Sequence, residues 1–164
     1  MLKQKIKTLG ALTKIVSRLK KTGKTIVFTN GCFDLLHYGH AQYLEKAKAR
    51  GDILVVAVNS DGSVKKIKGD KRPISPAKQR IGLIAALESV DYALLFDEAS
   101  PRQAIKALKP DLLVKGADWK ENEIIGGDIV AAYGGKVSTV KLVKDCSTTN
   151  LIKKIAERYQ PEGG

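Results

Sequence analysis

The chain holds two histidines, His37 and His40, and both stand in the stretch Thr29-Asn-Gly-Cys-Phe-Asp-Leu-Leu-His-Tyr-Gly-His40. An i, i+3 pair at the start of a helix projects to one side. Two imidazoles so placed can converge on one phosphate, donating neutral or charge-assisted hydrogen bonds. Gly39 between them removes a side chain where a nucleotide would approach the backbone. The turn from Thr29 to Phe33, with a helix N-terminus behind it, presents N–H groups and a positive dipole end to an anion. Neither G-x-G-x-x-G nor G-x-x-x-x-G-K-[ST] is present, so the common phosphate loops are excluded. Two other readings of the pair stay open. One is a helix cap beside a satisfied core histidine. The other is zinc, for which the spacing is not i, i+4 and no third histidine or cysteine pair is at hand.

The elements that must position this turn follow from the hydrophobic pattern. Apolar runs rich in branched residues (Thr25–Thr29, Ile53–Val58, Tyr92–Phe96, Leu112–Val114 and Lys136–Val140) alternate with segments of helical period (Gly39–Arg50, Pro76–Ser89, Ser100–Leu108, Asn122–Tyr133 and Thr148–Tyr159). That alternation predicts an α/β fold: a Rossmann-like, doubly wound parallel sheet of about five strands. Such sheets bind ligands beyond the carboxyl ends of their strands, where the histidine turn falls. A basic amphipathic helix over about residues 9–21 precedes a core of about residues 25–159. No linker or repeat divides residues 1–164, which read as a single domain ending in a frayed Pro161-Glu-Gly-Gly164.

The 164 residues suit one domain, and 43% hydrophobic with 28% charged residues is an ordinary globular balance. No stretch is apolar enough for a membrane helix or a signal peptide, so a soluble, cytoplasmic protein with no membrane partner is expected. Cys32 and Cys146 have no redox or metal-ligand spacing and read as free thiols. The net charge of +12 invites a nucleic-acid reading, but eight basic residues lie in residues 1–24, before the first acid, Asp34. The remainder is only mildly basic, with one concentration at Lys65, Lys66, Lys68, Lys71, Arg72, Lys78 and Arg80. A phosphate-rich small molecule suits that patch as well as a polymer does. With 5% aromatic residues and no regular aromatic interleaving, no nucleic-acid partner is expected.

The stretch Thr29–His40 resembles the signature of the cytidylyltransferase-like nucleotidyltransferase superfamily, whose hallmark is His-x-Gly-His at the start of the first helix. Ser147-Thr-Thr149, before Asn150-Leu-Ile-Lys-Lys-Ile155, is similar to its second hallmark. Val58-Asn-Ser-Asp61, Lys68-Gly69, Arg72-Pro-Ile74, Gln79-Arg80, Val90-Asp91 and Val114-Lys-Gly-Ala-Asp-Trp119 narrow the likeness to the heptose 1-phosphate adenylyltransferase branch, over about residues 8–157. The resemblance implies a reaction of ATP with D-glycero-β-D-manno-heptose 1-phosphate that yields ADP-heptose and pyrophosphate, for the lipopolysaccharide inner core. It further implies magnesium bound mainly through the ATP phosphates, a separate sugar kinase in the same pathway, and a homodimer.

On this resemblance, His37, His40 and Lys68 are the expected catalytic residues. Thr29, Asn30, Gly31, Cys32, Phe33, Gly39, Arg80, Lys115, Gly116, Asp118, Trp119, Ser147, Thr148 and Thr149 are expected around the nucleotide. Asp34, Asn59, Asp61, Lys65 and Arg72 are expected on the acceptor side, with Lys65, Lys66 and Lys68 on a mobile loop and Asp34 as a loop anchor or sugar contact. The hydroxyls of Ser147–Thr149 also suit a plain helix cap, Arg80 an exposed helix position, and Trp119 a buried structural role. Two departures stand out. Ala117 replaces a glycine common in the branch and is expected to narrow the base pocket. Cys146 stands beside the Ser/Thr cluster, where no role is assigned. The alternatives are the same chemistry with CTP or another acceptor such as glycerol 3-phosphate, and a non-enzymatic nucleotide- or RNA-binding module.

Overall fold

Strands built from unbroken runs of Ile, Val, Leu and Phe must be covered on both faces. The computed structural model, which describes residues 2–120 and 123–159, shows how. Its strands are β1 (Ile26–Gly31), β2 (Ile53–Asn59), β3 (Tyr92–Phe96), β4 (Leu112–Gly116) and β5 (Lys136–Val140). They form one sheet in the order β3-β2-β1-β4-β5, and every pairing is parallel. The helices are α1 (Leu2–Lys5), α2 (Leu9–Lys21), α3 (Tyr38–Lys48), α4 (Asp61–Lys68), α5 (Ala77–Ala86), α6 (Arg102–Leu108), α7 (Gly127–Ala132) and α8 (Thr148–Arg158).

Alternate strand residues feed two cores. Val27, Leu54, Val56, Val58 and Val114 pack with Leu44 and Ala47 of α3 and Ile81 and Ile84 of α5. Ile26, Phe28, Val55, Ala57 and Leu113 pack with Leu12 and Val16 of α2, Ile105 and Leu108 of α6, and Val130 of α7. The basic helix α2 therefore lies on the sheet. Its first turn is capped by Thr8, whose hydroxyl accepts from Ala11 N–H. The segment before it covers the sheet edge, with Lys7 N–H donating to Ala93 O at 2.9 Å.

The observed strands fall where the apolar runs lie, and the helices differ chiefly at their ends. The largest difference is α4, in the segment expected to be a lysine-bearing loop. Ser60 caps it by accepting from Ser63 N–H, Asp61 suits the dipole of its first turn, and Gly69 ends it at φ 91°. Lys65, Lys66 and Lys68 thus ride on a helix. The helix expected from Asn122 is observed as α7, beginning at Gly127; Asn122 and Pro161–Gly164 lie outside the described residues. Among the described residues no helix is long and apolar enough to cross a membrane.

The chain order reverses between β1 and β4, which pair only at Val27 with Leu112 and Phe28 with Leu113. Beyond those pairs the two strands diverge and open a crevice. Side chains bridge it. The Tyr43 hydroxyl donates to Val114 O at 3.0 Å and lies 2.7 Å from the Thr29 hydroxyl. Lys115 Nζ donates to Asn30 O at 2.9 Å.

Candidate active site

Above this divergence lies a cleft of about 590 Å³, lined from both halves of the sheet. Its floor is the turn after β1. Phe33 takes a left-handed φ of 46°, which turns the chain from strand toward helix. Its ring then stands edge-on to His40, with centroids 5.2 Å apart. His37 occupies the N-cap position of α3 with extended dihedrals, but its side chain makes no capping hydrogen bond. The capping alternative is thereby set aside for this residue.

The two imidazoles stack, with centroids 3.8 Å apart and planes inclined by 19°. Both Nδ1 atoms are buried without a hydrogen-bond partner among the described residues. Burial lowers the pKa of His37, and burial followed by repulsion from His37 lowers that of His40 to about 4. Both rings are neutral at pH 7, so each carries one N–H that can donate to a ligand. Among the described residues no cluster of three histidine, cysteine, aspartate or glutamate side chains is arranged to hold a metal ion, so the zinc reading finds no ligand set here.

The depressed His40 pKa has a consequence for folding. Unfolded histidine titrates near pH 6.5, so protonation between that value and about 4 favours the unfolded chain. Stability present above about pH 6.5 is lost as the pH falls through this window, by up to about 3 kcal/mol from His40. Thermal denaturation at about pH 7 and about pH 5 should show the drop, and His40→Gln should flatten it. An equal drop in the variant would assign the slope to other groups.

Gly39 also has a packing role. A Cβ there would come within 2.9 Å of Cys146 Cβ and 3.0 Å of His37 Nδ1. The missing side chain lets the loop before α8 pack against the helix start, and Gly39 also lines the cleft. Cys146, unassigned from the sequence, is therefore a packing residue against α3. Cys32 and Cys146 are both free thiols. Burial raises the Cys32 pKa against the pull of Lys68, Arg80 and Arg72, so it stays a protonated thiol.

Of the expected site residues, the cleft brings together Asn30, Gly31, Cys32, Phe33, Asp34, His37, Gly39, His40, Asn59, Lys68, Arg72, Lys115, Gly116, Asp118, Trp119, Ser147, Thr148 and Thr149. Four others stand away from it. Thr29 is fully buried and bonded to Tyr43. Lys65 is exposed on α4 and does not line the cleft. Asp61 accepts from Ala77 N–H and Arg80 Nη2, both at 2.8 Å. Arg80 is 1% exposed, neither a nucleotide ligand at the cleft nor an exposed helix residue. It donates to Ser75 O, Cys32 O and Asp61 Oδ1, and so ties the turn after β1 to the starts of α4 and α5.

Asp34 is a loop anchor. Its buried carboxylate accepts from Ile74 N–H at 2.8 Å, from Ser75 N–H at 2.8 Å and from Arg72 Nε. Burial would raise its pKa, but the Ser75 and Ile74 amides and Arg72 more than offset that and hold it below the usual carboxylate range. Ala117, expected to narrow the pocket, is exposed, donates its N–H to Val140 O and does not line the cleft. Lys115 is buried enough for its ammonium pKa to fall to about 8 against the opposing pull of Asp118. Ser147 uses its hydroxyl as the cap of α8, accepting from Asn150 N–H at 3.1 Å. Thr148 and Thr149 line the cleft. Leu142, Val143, Ile125 and Ile67 complete the cleft, with Trp119 45% exposed at its rim. No local pattern in the sequence marks these apolar residues, which come together only when the ends of β2, β4 and β5 meet.

The chain is 50% identical over 158 residues to the "Bifunctional protein HldE" of Geobacter metallireducens, covering 96% of this chain and 32% of that protein. It is 47% identical over 152 residues to the HldE of Aliarcobacter butzleri, covering 93% of this chain and 31% of that one. The chain thus spans about a third of the length of these relatives. Among solved structures, a lipopolysaccharide core biosynthesis protein from Thermoplasma volcanium superimposes with a TM-score of 0.62 at 35% identity, over 74% of this chain and 98% of that one. A pantoate-beta-alanine ligase from Francisella tularensis shares the fold at a TM-score of 0.60 and 16% identity, over 96% of this chain and 80% of that one. The Cytidylyltransferase-like family model matches residues 28–154, from within β1 into α8. A chain that carries that match across most of its length, with the paired imidazoles at the cleft floor, belongs to the cytidylyltransferase-like family.

Proposed function

We propose that this chain is an adenylyltransferase that joins ATP to D-glycero-β-D-manno-heptose 1-phosphate, giving ADP-heptose and pyrophosphate in the cytoplasm. The observation that carries the reading is the neutral, stacked His37/His40 pair at the start of α3, beneath a cleft with two chemically different walls. Trp119, Ile125 and Leu142 offer flat apolar surface for a purine, with Asp118 nearby. Thr148 and Thr149 stand at the first turn of α8, where N–H groups and the dipole favour the departing pyrophosphate. Asn59 and Arg72 belong to the opposite wall, which suits the sugar phosphate, and Lys68 also lines the cleft, where its charge is available to the ATP phosphates.

A phosphate oxygen of the acceptor attacks the α-phosphorus in line, and the bond from that phosphorus to the α,β-bridging oxygen breaks. The acceptor phosphate is largely a dianion at pH 7, because its second pKa is about 6, so no protein base is needed. The barrier falls through alignment and through stabilisation of charge on the transferred group. His37 and His40, with the N–H groups of the Gly31–Phe33 turn, hold the equatorial oxygens. Lys68 neutralises the β- and γ-phosphates. Magnesium, if bound, would be held mainly through the ATP phosphates and would supply charge neutralisation there. The sugar 1-phosphate is supplied by a sugar kinase, and a homodimer is the proposed assembly.

The test is pyrophosphate release with magnesium, crossing ATP and CTP with heptose 1-phosphate and glycerol 3-phosphate. Release confined to ATP with heptose 1-phosphate is expected. Release with CTP or glycerol 3-phosphate would move the substrate within the family, and polymer binding without any turnover would favour the binding-module alternative.

A further inference from the structure

Arg72 is held by one edge only. Its Nε donates to Asp34, whose side chain is fully shielded from solvent while that of Arg72 is 16% exposed. The same carboxylate binds the N–H groups of Ile74 and Ser75, so the segment carrying Arg72 is fastened to the turn after β1. Arg80 fastens it again, donating to Ser75 O at 2.9 Å and to Cys32 O in that same turn. Arg72 lines the cleft, yet its two η nitrogens make no hydrogen bond among the described residues. A guanidinium with a fixed back edge and a free front edge is a preorganised fork for two oxygens of one phosphate. It stands on the wall formed from the end of β2, with Lys68 and Asn59, across from the Trp119 side.

We infer that Arg72, oriented by Asp34, is the clamp for the attacking phosphomonoester and the residue that makes this cleft select a phosphorylated acceptor over the free sugar. Asp34 is then a positioning residue acting through Arg72, and it touches no substrate. Its negative charge, which at a phosphate site would repel the ligand, is cancelled by the guanidinium it holds. The ammonium of Lys68 tethers phosphate as a point charge, whereas the Arg72 fork sets the direction of the attacking oxygen.

The inference rests on the reading of the cleft as a nucleotidyltransferase site, and its test separates the two. Steady-state kinetics on wild type, Arg72→Ala and Arg72→Lys would vary ATP and acceptor separately. Calorimetry would follow heptose 1-phosphate, glycerol 3-phosphate and unphosphorylated heptose binding without nucleotide. Loss of a bidentate charged contact should raise the acceptor KM by roughly 10- to 100-fold in Arg72→Ala, with the ATP KM within about twofold of wild type. Arg72→Lys keeps a cation beside Asp34, so it should fold normally and still lose most of the acceptor affinity. Free heptose should bind neither wild type nor variant. A rise in the ATP KM instead, or a fall in kcat with both KM values unchanged, would overturn the clamp. Turnover of heptose 1-phosphate by wild type with both variants unaffected would leave the proposed function standing and remove the clamp. Arg72-dependent binding of glycerol 3-phosphate, with no use of heptose 1-phosphate, would keep the clamp and reject the proposed acceptor.

Discussion

His37→Ala and His40→Ala are each expected to lower kcat by about 10²- to 10³-fold, the usual cost of removing one donor to a developing oxyanion. Neither should lower the melting temperature appreciably at pH 7. Each ring carries a buried Nδ1 without a partner, and such orphaned atoms cost stability rather than adding to it. The stack of two rings 3.8 Å apart is likewise no substitute for the hydrogen bonds that water would make. This is the pattern of a site kept for chemistry at some expense to folding. If both rings face one phosphate, the double variant should lose less than the product of the single losses, because the residues act as a unit. Turnover within a few fold of wild type in both single variants, or a loss of activity that tracks a fall in melting temperature, would remove the histidines from the transition state.

The second large effect is structural. Arg80→Met should destabilise the fold by about 2–5 kcal/mol, because two buried carbonyl oxygens lose a charged donor. For a domain of this size that corresponds to a melting temperature lower by roughly 10 °C. The residue is 1% exposed, and its three bonds reach Cys32, Ser75 and Asp61, so no surface remains for a nucleotide. Activity should fall with stability as the turn beneath the histidines loosens. A variant that melts like wild type while its ATP KM rises would instead restore Arg80 to the nucleotide.

Arg80 also marks the limit of what residue type and spacing reveal. The sheet was legible because Ile53–Val58 or Tyr92–Phe96 can bury both faces only in a covered parallel sheet, and the histidine turn because its glycine and imidazoles repeat a recognisable local pattern. Arg80 and Asp34 carry the same charges whether they bind a ligand or each other's loops. Their partners lie 48 and 40 residues away, at Cys32 and Ile74, and only the folded geometry pairs them. The helix Asp61–Lys68 was hidden by Gly62 and by the density of lysines, which read as a loop. After Ser60 only Val64 and Ile67 are apolar, too short a stripe to mark a helix start. The rim at Leu142, Ile125 and Ile67 had no signature either, since isolated apolar residues in loops are ordinary.

The divergence of β1 from β4 gives the sheet uneven compliance. Strands joined by a full ladder resist separation over many hydrogen bonds, as β1 and β2 do over six residue pairs. At the crevice the ladder gives way to side-chain links, the Tyr43 bonds to Thr29 and Val114 and the Lys115 bond to Asn30. The seam between β1 and β4 thus holds fewer strand pairs than the ladders beside it. In the proposed reaction, the separation between an attacking oxygen on one wall and a phosphorus on the other would depend on that seam. Tyr43, buried and bonded to both strands, spans it.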